Sequence, residues 1–157
     1  MLKIEIRPYE PTDWPRLCQI HDTSRLDELR LTVGTDAFLS LAQTADTEGL
    51  FDDQLFVAEV DQIVRGFIAY SDEELAWLYV DPQFYRKGVG RALVRHAATH
   101  SAPEMIIEVL EGNTPALDLY LSEGFEIIKR IEGQLEGNEG FAAVGLVLQR
   151  NNAIATG

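Results

Sequence analysis

A short turn with two glycines, residues 85–91, is the part of the sequence best suited to bind a phosphate group. It follows an apolar run at residues 75–80 and precedes a helical spacing of apolar residues that begins at Val89. Backbone N–H groups at such a turn, together with the N-terminus of the next helix, favour an anion. Four basic side chains occur in or just after the turn of this acidic chain, namely Arg86, Lys87, Arg91 and Arg95. The pattern therefore predicts a site for a phosphate or pyrophosphate.

Two nucleotide-binding motifs of similar composition do not fit these residues. A P-loop needs a Gly-Lys pair followed by Ser or Thr, and the chain has no Gly-Lys pair. A dinucleotide fingerprint needs a third glycine where this chain has Leu93, and it needs a series of βαβ units that the order of elements lacks. Both motifs are therefore excluded by the residues themselves.

The turn and a second segment resemble the motifs of the GNAT superfamily of acyl-CoA-dependent N-acetyltransferases. Residues 80–91, Val-Asp-Pro-Gln-Phe-Tyr-Arg-Lys-Gly-Val-Gly-Arg, are similar to the family's Val-x-Pro step followed by Gln/Arg-x-x-Gly-x-Gly/Ala. Residues 113–125 are similar to the family's Asn-x-x-Ala-x-x-x-Tyr-x-x-x-Gly-Phe segment. Tyr85 stands where the family has Gln or Arg. The resemblance covers roughly residues 3–149.

The resemblance implies acetyl-CoA as co-substrate and no metal. It places the pyrophosphate on the backbone amides of the turn and the pantetheine arm beside the preceding strand, where the amide of Val80 would polarise the thioester. Asn113 would contact the pantetheine arm, and the alternative for Asn113 is the N-cap of a helix. The alternative for residues 75–80 is a plain core strand. The residues so implied in donor binding are Leu78, Tyr79, Val80, Tyr85, Arg86, Lys87, Gly88, Val89, Gly90, Arg91, Asn113 and Tyr120.

The resemblance also implies an acid and a base. Tyr120 would protonate the departing thiolate, although a half-buried tyrosine of the core would show the same pattern. Glu108 matches a glutamate of ribosomal-protein alanine N-acetyltransferases that is proposed to accept the amine's proton. There are two alternatives for the base. One is the pair Glu73 and Glu74, of which Glu74 is the predicted site residue, and the other is a water relay.

His96 and His100 are spaced i, i+4, but no third metal ligand accompanies them.

The periodicity of apolar residues predicts the elements that position these groups. An α/β (α+β) fold is expected, with a GNAT-like, mixed, mostly antiparallel sheet of about seven strands and helices on both faces. One domain is expected over residues 1–150 and a flexible tail over residues 151–157. The predicted strands are residues 2–7, 55–60, 63–70, 74–80, 105–110, 125–132 and 141–149, and the predicted helices begin near residues 13, 35, 89 and 114.

Composition limits the partners. The formal net charge of −13 opposes binding to nucleic acid and to anionic membranes. No window approaches the ~18 apolar residues of a membrane span, and the first residues alternate in charge, unlike a signal peptide. A cytoplasmic protein, monomer or homodimer, is therefore expected.

The main functional hypothesis is an N-acetyltransferase in which a primary amine attacks acetyl-CoA directly in a ternary complex. A catalytically silent acyl-CoA-binding sensor or interaction module of the same fold is the alternative. The acceptor would be a small cationic amine, a peptide N-terminus or a lysine, because residues 25–53 are expected to form an acidic wall. The acidic residues of that wall are Asp46, Glu48, Asp52 and Asp53.

Overall fold

Seven strands form two antiparallel sheets in residues 2–150, the part of the chain that the computed structural model describes. The strands of the first sheet, in spatial order, are β1 (Ile4–Pro8), β2 (Gln54–Val60), β3 (Ile63–Tyr70) and β4 (Leu75–Val80). The second sheet consists of β5 (Ile106–Leu110), β6 (Phe125–Leu135) and β7 (Asn138–Arg150), with β7 in the middle. The predicted α+β class and the number of strands are confirmed, and the sheet is divided in two.

Helices cover both faces of the first sheet. The helices are α1 (Trp14–Leu31), α2 (Leu41–Thr44), α3 (Val89–Thr99) and α4 (Thr114–Ser122). α1 packs on the face that carries Val57 and Phe67, whereas α3 packs on the opposite face beside Ala58 and Ile68. Successive strand residues point to opposite faces, so one strand contributes to both cores. Among the described helices, none has the length and apolar character needed to cross a membrane.

β4 and β5 meet near one end and then separate. An isolated parallel bridge joins Glu74 to Ile106, and Ile106 N donates to Glu73 O at 2.9 Å. Beyond this point β4 pairs with β3 and β5 pairs with β7, so the facing edges of the two strands have no strand partner within residues 2–150. A gap with unpaired backbone groups on its walls is the result.

The predicted helix starting near residue 35 is wrong. The chain forms a 3-10 turn over Thr35–Ala37, leaves helical geometry at Phe38 (ψ 131°) and begins the single turn of α2 after Ser40. Ser40 caps this new start by accepting from Gln43 N, and the Gln43 side chain accepts from Ser40 N in return. Phe38 packs instead against Leu29 and Leu135.

The last two strands are longer than the sequence predicts. A loop was expected between residues 132 and 141, but β6 and β7 stay paired as far as Leu135 and Asn138. Gly137 supplies the left-handed turn with φ 79°. The tip of this hairpin reaches the segment after α1, where Asn138 Nδ2 donates to Ala37 O at 2.9 Å. The predicted tail, residues 151–157, lies outside the described residues.

Candidate active site

A cleft of about 290 Å³ lies where β4 and β5 separate. Its walls come from these strands, α1, the segment between α1 and β2, α4 and the β6–β7 hairpin. The structure brings together many of the predicted site residues in this lining, namely Glu74, Leu78, Tyr79, Glu108, Asn113 and Tyr120. Glu73, the other candidate for the base, does not line the cleft.

The glycine turn has the backbone geometry of an anion site. Arg86 (φ 60°) and Gly88 (φ 91°) both adopt left-handed conformations, and Gly88 is the N-cap of α3. Such alternation of backbone conformation before a helix directs N–H groups toward one point. Val89 contributes only its backbone here, because its side chain is buried in the core. Gly90 is the second residue of α3, and a Cβ atom added to it would lie 3.4 Å from Leu119 Cδ2 of α4.

The base of the turn is held by an ion-pair network at Asp81. Asp81 accepts from Gln83 N at 3.0 Å, from Arg16 Nη2 at 2.6 Å and from Arg65 Nη1 at 3.0 Å. Burial alone would raise the pKa of Asp81, but these donors hold it below the usual range. The network joins α1, β3 and the end of β4, so the position of the turn relative to α1 is set here.

Only two of the four basic side chains at the turn lack an ion-pair partner among the described residues. Within residues 2–150, Arg86 and Lys87 are exposed and have no ion-pair partner, and Lys87 Nζ lies 5.8 Å from the Phe84 ring. Arg91 and Arg95 instead both bind Glu123 at the end of α4. Two of the four cations thus join α3 to α4, and the binding of a phosphate at the turn stays a prediction.

Tyr85, the departure from the family pattern, connects the turn to α1. Its hydroxyl lies 3.0 Å from Ser24 Oγ and donates to Asp27 Oδ2 at 3.0 Å. Burial, with the adjacent Asp27, raises the pKa of Tyr85 to about 12. The tyrosine therefore stays neutral and acts as a tether between the turn and the helix.

The residues of α4 that the resemblance singled out both face the cleft. Asn113 Oδ1 accepts from Ala116 N at 3.3 Å, which confirms the predicted cap of α4. Tyr120 is buried, with its ring at 5.6 Å from the Phe125 ring. Burial, then the charge of Glu28 and the neighbouring Tyr79, raises the pKa of Tyr120 above its ordinary value. Tyr120 is consequently protonated throughout the physiological range.

Glu28 of α1 is a site residue that sequence reasoning missed. Its carboxylate accepts from Arg25 Nη1 at 2.7 Å, from Tyr79 OH at 3.3 Å and from Asn113 Nδ2 at 3.2 Å. It thereby joins α1, β4 and the start of α4 around the cleft. A glutamate within an ordinary charged helix carries no local signal, because its partners are up to 85 residues away.

Four carboxylates from separate parts of the chain line the cleft. Glu74 directly precedes β4, Glu108 lies on β5, Glu48 lies between α2 and β2, and Glu136 is at the tip of the β6–β7 hairpin. Burial, and then the charges of Glu136, Asp53 and Glu108, raise the pKa of Glu74. Burial and Glu136 likewise raise the pKa of Glu48. The cleft therefore has a high density of negative charge, which favours the binding of a cation.

The expected acidic wall over residues 25–53 is confirmed only in part. Glu48 lines the cleft, and Asp53 acts on Glu74 through its charge. Asp46 lies instead in a separate open groove beside Trp14, and Asp52 lies against Gly49. Glu28 and Glu48 are therefore the acidic residues of the 25–53 segment that line the cleft, and Glu74, Glu108 and Glu136 supply the rest of its carboxylates.

Comparisons with known proteins identify relatives of this chain. Residues 51–127 match the model of the acetyltransferase (GNAT) domain. The peptidyl-lysine N-acetyltransferase YjaB of Salmonella typhimurium is 38% identical over 104 residues, which are 62% of this chain and 71% of that protein. The solution structure of apo-form YjaB from Escherichia coli aligns with a TM-score of 0.69 at 28% identity, over 94% of this chain and 97% of that one.

A more distant solved structure shares the fold. The structure of yncA from Salmonella typhimurium, with its cofactor acetyl-CoA, aligns with a TM-score of 0.68. The alignment covers 94% of this chain and 94% of that one at 16% identity.

Proposed function

Because this chain belongs to the GNAT family of acetyltransferases, we propose that it transfers the acetyl group of acetyl-CoA to the side-chain amine of a lysine in a peptide or protein. The observation that carries the choice of acceptor is the acidic lining of the cleft by Glu48, Glu74, Glu108 and Glu136. A lysine ammonium is a compact cation on a flexible four-carbon stem. The name of the YjaB relative, a peptidyl-lysine N-acetyltransferase, supports the same acceptor.

The donor side of the proposal rests on the glycine turn and on the free edge of β4. The left-handed backbone at Arg86 and Gly88 suits a pyrophosphate, and the unpaired cations Arg86 and Lys87 add charge beside it. Along β4, residues 78–80 have no strand partner on the side facing β5 within the described part of the chain, so their backbone groups are available to the amides of a pantetheine arm. The yncA structure with acetyl-CoA supports this donor for the shared fold.

The acceptor side of the cleft is bounded by the β6–β7 hairpin, whose Leu135, Glu136 and Asn138 line it. The hairpin tip is fastened to the segment after α1 by the hydrogen bond from Asn138 to Ala37, and Leu135 packs on Leu29. These contacts hold Glu136 in the lining of the cleft.

The chemistry assigns one role to each group. Acetyl-CoA, when bound, supplies an acetyl thioester. Glu108 accepts a proton from the lysine ammonium, and the charge of Glu74 across the gap holds that ammonium in place. The amine nitrogen then forms a bond to the thioester carbonyl carbon, with the amide of Val80 donating to the developing oxyanion. When the carbon–sulfur bond breaks, Tyr120 gives its proton to the leaving sulfur and the nitrogen loses its second proton to solvent water, so that a neutral amide and CoA thiol are formed. Water then returns a proton to the Tyr120 phenolate, and Glu108 releases to solvent the proton that it took from the lysine.

A panel of acceptors in a thiol-release assay, followed by mass spectrometry, tests the proposal. Two matched peptides are compared: one has a blocked N-terminus and a free lysine, and the other has a free N-terminus and Nε-acetyllysine. We expect release of CoA and a new Nε-acetyl group with the first peptide only. Exclusive use of the second peptide, or of small neutral or anionic amines, would refute the choice of lysine. Stabilisation by acetyl-CoA without turnover of any amine would instead support the silent sensor.

A further inference from the structure

The Glu108 side chain is held in the cleft without any hydrogen bond or ion pair from residues 2–150. It lies on the face of β5 opposite to the core, because its neighbours Ile107 and Val109 are buried in the core. A flexible glutamate with no polar partner needs another constraint to keep a defined position. The neighbouring strand supplies one.

Gly145 of β7 provides the space that the Glu108 carboxylate occupies. In the register of the sheet, Glu108 pairs with Val147, and Gly145 is the next residue of β7 on the same face. A Cβ atom added to Gly145 would overlap Glu108 Oε1 and would lie 3.0 Å from Cδ and 3.2 Å from Cγ. The carboxylate therefore lies flat over the bare α-carbon of Gly145.

Backbone conformation does not require a glycine at this position. The positive φ values of the described glycines are at other positions, so any L-residue suits the backbone at Gly145. Gly145 is buried in the middle strand of its sheet, paired to Leu110 on one side and Ile131 on the other, and a glycine weakens such a strand. The space that Gly145 leaves for the Glu108 side chain offsets the weakening of the strand by a glycine.

From this geometry we infer that Gly145 is a positioning residue, which sets the place of the Glu108 carboxylate relative to the acceptor amine. The inference rests on the proposed role of Glu108 as the base. A methyl group at residue 145 would push aside only the far end of a flexible side chain, so the fold has no need to change. The carboxylate would move, and displacement of a catalytic group by about 1 Å can cost on the order of 100-fold in rate.

The test compares Gly145→Ala with Gly140→Ala, a change in the same strand where an added Cβ meets nothing within 4 Å. For Gly145→Ala we expect kcat to fall by roughly 10- to 100-fold, with little change in the KM for acetyl-CoA and a melting temperature equal to or above that of the wild type. Gly140→Ala should keep the kcat of the wild type. A kcat of Gly145→Ala within about twofold of the wild type would overturn the inference.

A double-mutant cycle separates positioning from a general structural effect. In a Glu108→Ala background the Gly145→Ala change should cost no more than about twofold further, because no carboxylate is left to displace. An unchanged loss of about 10-fold or more in that background would also overturn the inference.

A measurement that does not depend on turnover distinguishes the role of Glu108 as base from the positioning role of Gly145. The ¹³C chemical shift of the Glu108 carboxyl should change in Gly145→Ala and not in Gly140→Ala. If Glu108→Ala leaves kcat unchanged, the role of Glu108 as base fails while this shift still reports the steric contact. If Glu108→Ala is inactive but neither kcat nor the shift responds to Gly145→Ala, only the positioning role fails.

Discussion

The Tyr120 side chain is buried and also lines the polar cleft. In this setting a phenol keeps its proton and can still contact a bound group. Its pKa is raised by burial first and then by Glu28 and Tyr79. The carboxylate of Glu28 also orients the amide of Asn113, which precedes Tyr120 by two helical turns. Residues of α1, β4 and the α4 segment thus meet beside Tyr120.

Tyr120→Phe should lower kcat by about 100-fold or more, because proton donation to the leaving group contributes about 10² to 10⁴ in rate. The dissociation constant of acetyl-CoA should change by less than about threefold, since the ring and its packing on Phe125 are kept. Steady-state kinetics and isothermal titration of acetyl-CoA measure the two quantities separately.

Tyr70→Phe is the matched control for that experiment. Tyr70 is as buried as Tyr120, but its hydroxyl lies 3.0 Å from His96 Nε2, and it does not line the cleft. Its kcat should equal that of the wild type. A comparable fall in kcat for both variants would point to loss of a buried hydroxyl in general and would contradict the role of Tyr120 as acid.

At the scale of elements, α3 and α4 are joined by one carboxylate. Glu123 follows the end of α4 and binds Arg91 and Arg95, which lie one turn apart on α3. Burial alone would raise the pKa of Glu123, but the hydrogen bonds from the two guanidinium groups lower it below the ordinary 4.5. The pair of helices that carries the glycine turn and Tyr120 is therefore fixed by charge as well as by apolar packing.

Glu123→Gln should lower the free energy of unfolding at pH 7 by about 1–3 kcal/mol, the usual contribution of hydrogen bonds to a charged group. A folded-state pKa below the unfolded value means that the ionised form stabilises the fold. The stabilisation is complete above pH 4.5 and is lost as the pH falls through the lower folded-state value. Urea unfolding of both proteins from pH 7 to pH 4 should show the difference shrinking at the acid end.

Glu132→Gln gives the comparison for an exposed pair. Glu132 binds Arg130 at 2.9 Å, but the two side chains are 74% and 48% exposed. Such surface pairs contribute about 0–1 kcal/mol. An equal loss in both variants, or a difference for Glu123→Gln that grows toward acid pH, would contradict the assigned role of Glu123.

At the scale of the whole molecule, an anionic donor must approach a protein of net charge −13. Under the proposed function, the acidic residues of the cleft would attract the lysine acceptor, and Arg86 and Lys87 would attract the donor's phosphates. Donor and acceptor would then be drawn by opposite charges to different parts of one site.

Arg86→Glu should weaken acetyl-CoA binding by about 10-fold or more, because it replaces an unpaired cation at the turn with an anion. Lys129→Glu, on the edge strand β6, makes the same charge change, from −13 to −15 (−13 − 2 = −15), away from the turn. Acetyl-CoA at about 100 times its Kd should stabilise the wild type by about 2.7 kcal/mol, a shift of roughly 5–10 °C.

Thermal unfolding with and without acetyl-CoA measures these differences. Lys129→Glu should keep the shift of the wild type, whereas Arg86→Glu should show a clearly smaller one at the same ligand concentration. Equal shifts in the two variants would mean that only the overall field of the molecule matters and that the turn does not bind the phosphates.

Sequence reasoning succeeded where structure follows from a few neighbouring residues. The alternation of apolar residues predicted most of the strands. The Asn113 cap was likewise predictable, because it depends on a contact with a residue three positions away. The glycine turn belongs to this group, since its conformation is set by Gly88 and the helix that follows.

What the tertiary structure decided are the contacts between distant parts of the chain. Phe38 lies outside a helix and packs, partly buried, against Leu29 and Leu135, and no local pattern reports that contact. The ion pair of Arg91 with Glu123 likewise depends on the packing of α3 on α4. Tertiary packing brings such partners together, and local propensity carries no information about which residues will meet.

The sequence by itself determined the family resemblance, the order of most elements and the backbone conformation of the glycine turn. The tertiary structure decided which carboxylates share the cleft, that Glu28 joins Asn113 to Tyr79, and that Glu108 lies over Gly145. The physical reason is the range of the forces involved. Backbone conformation is set by steric contacts between adjacent residues, whereas the electrostatics and the free space of the cleft arise from strands and helices far apart in the chain.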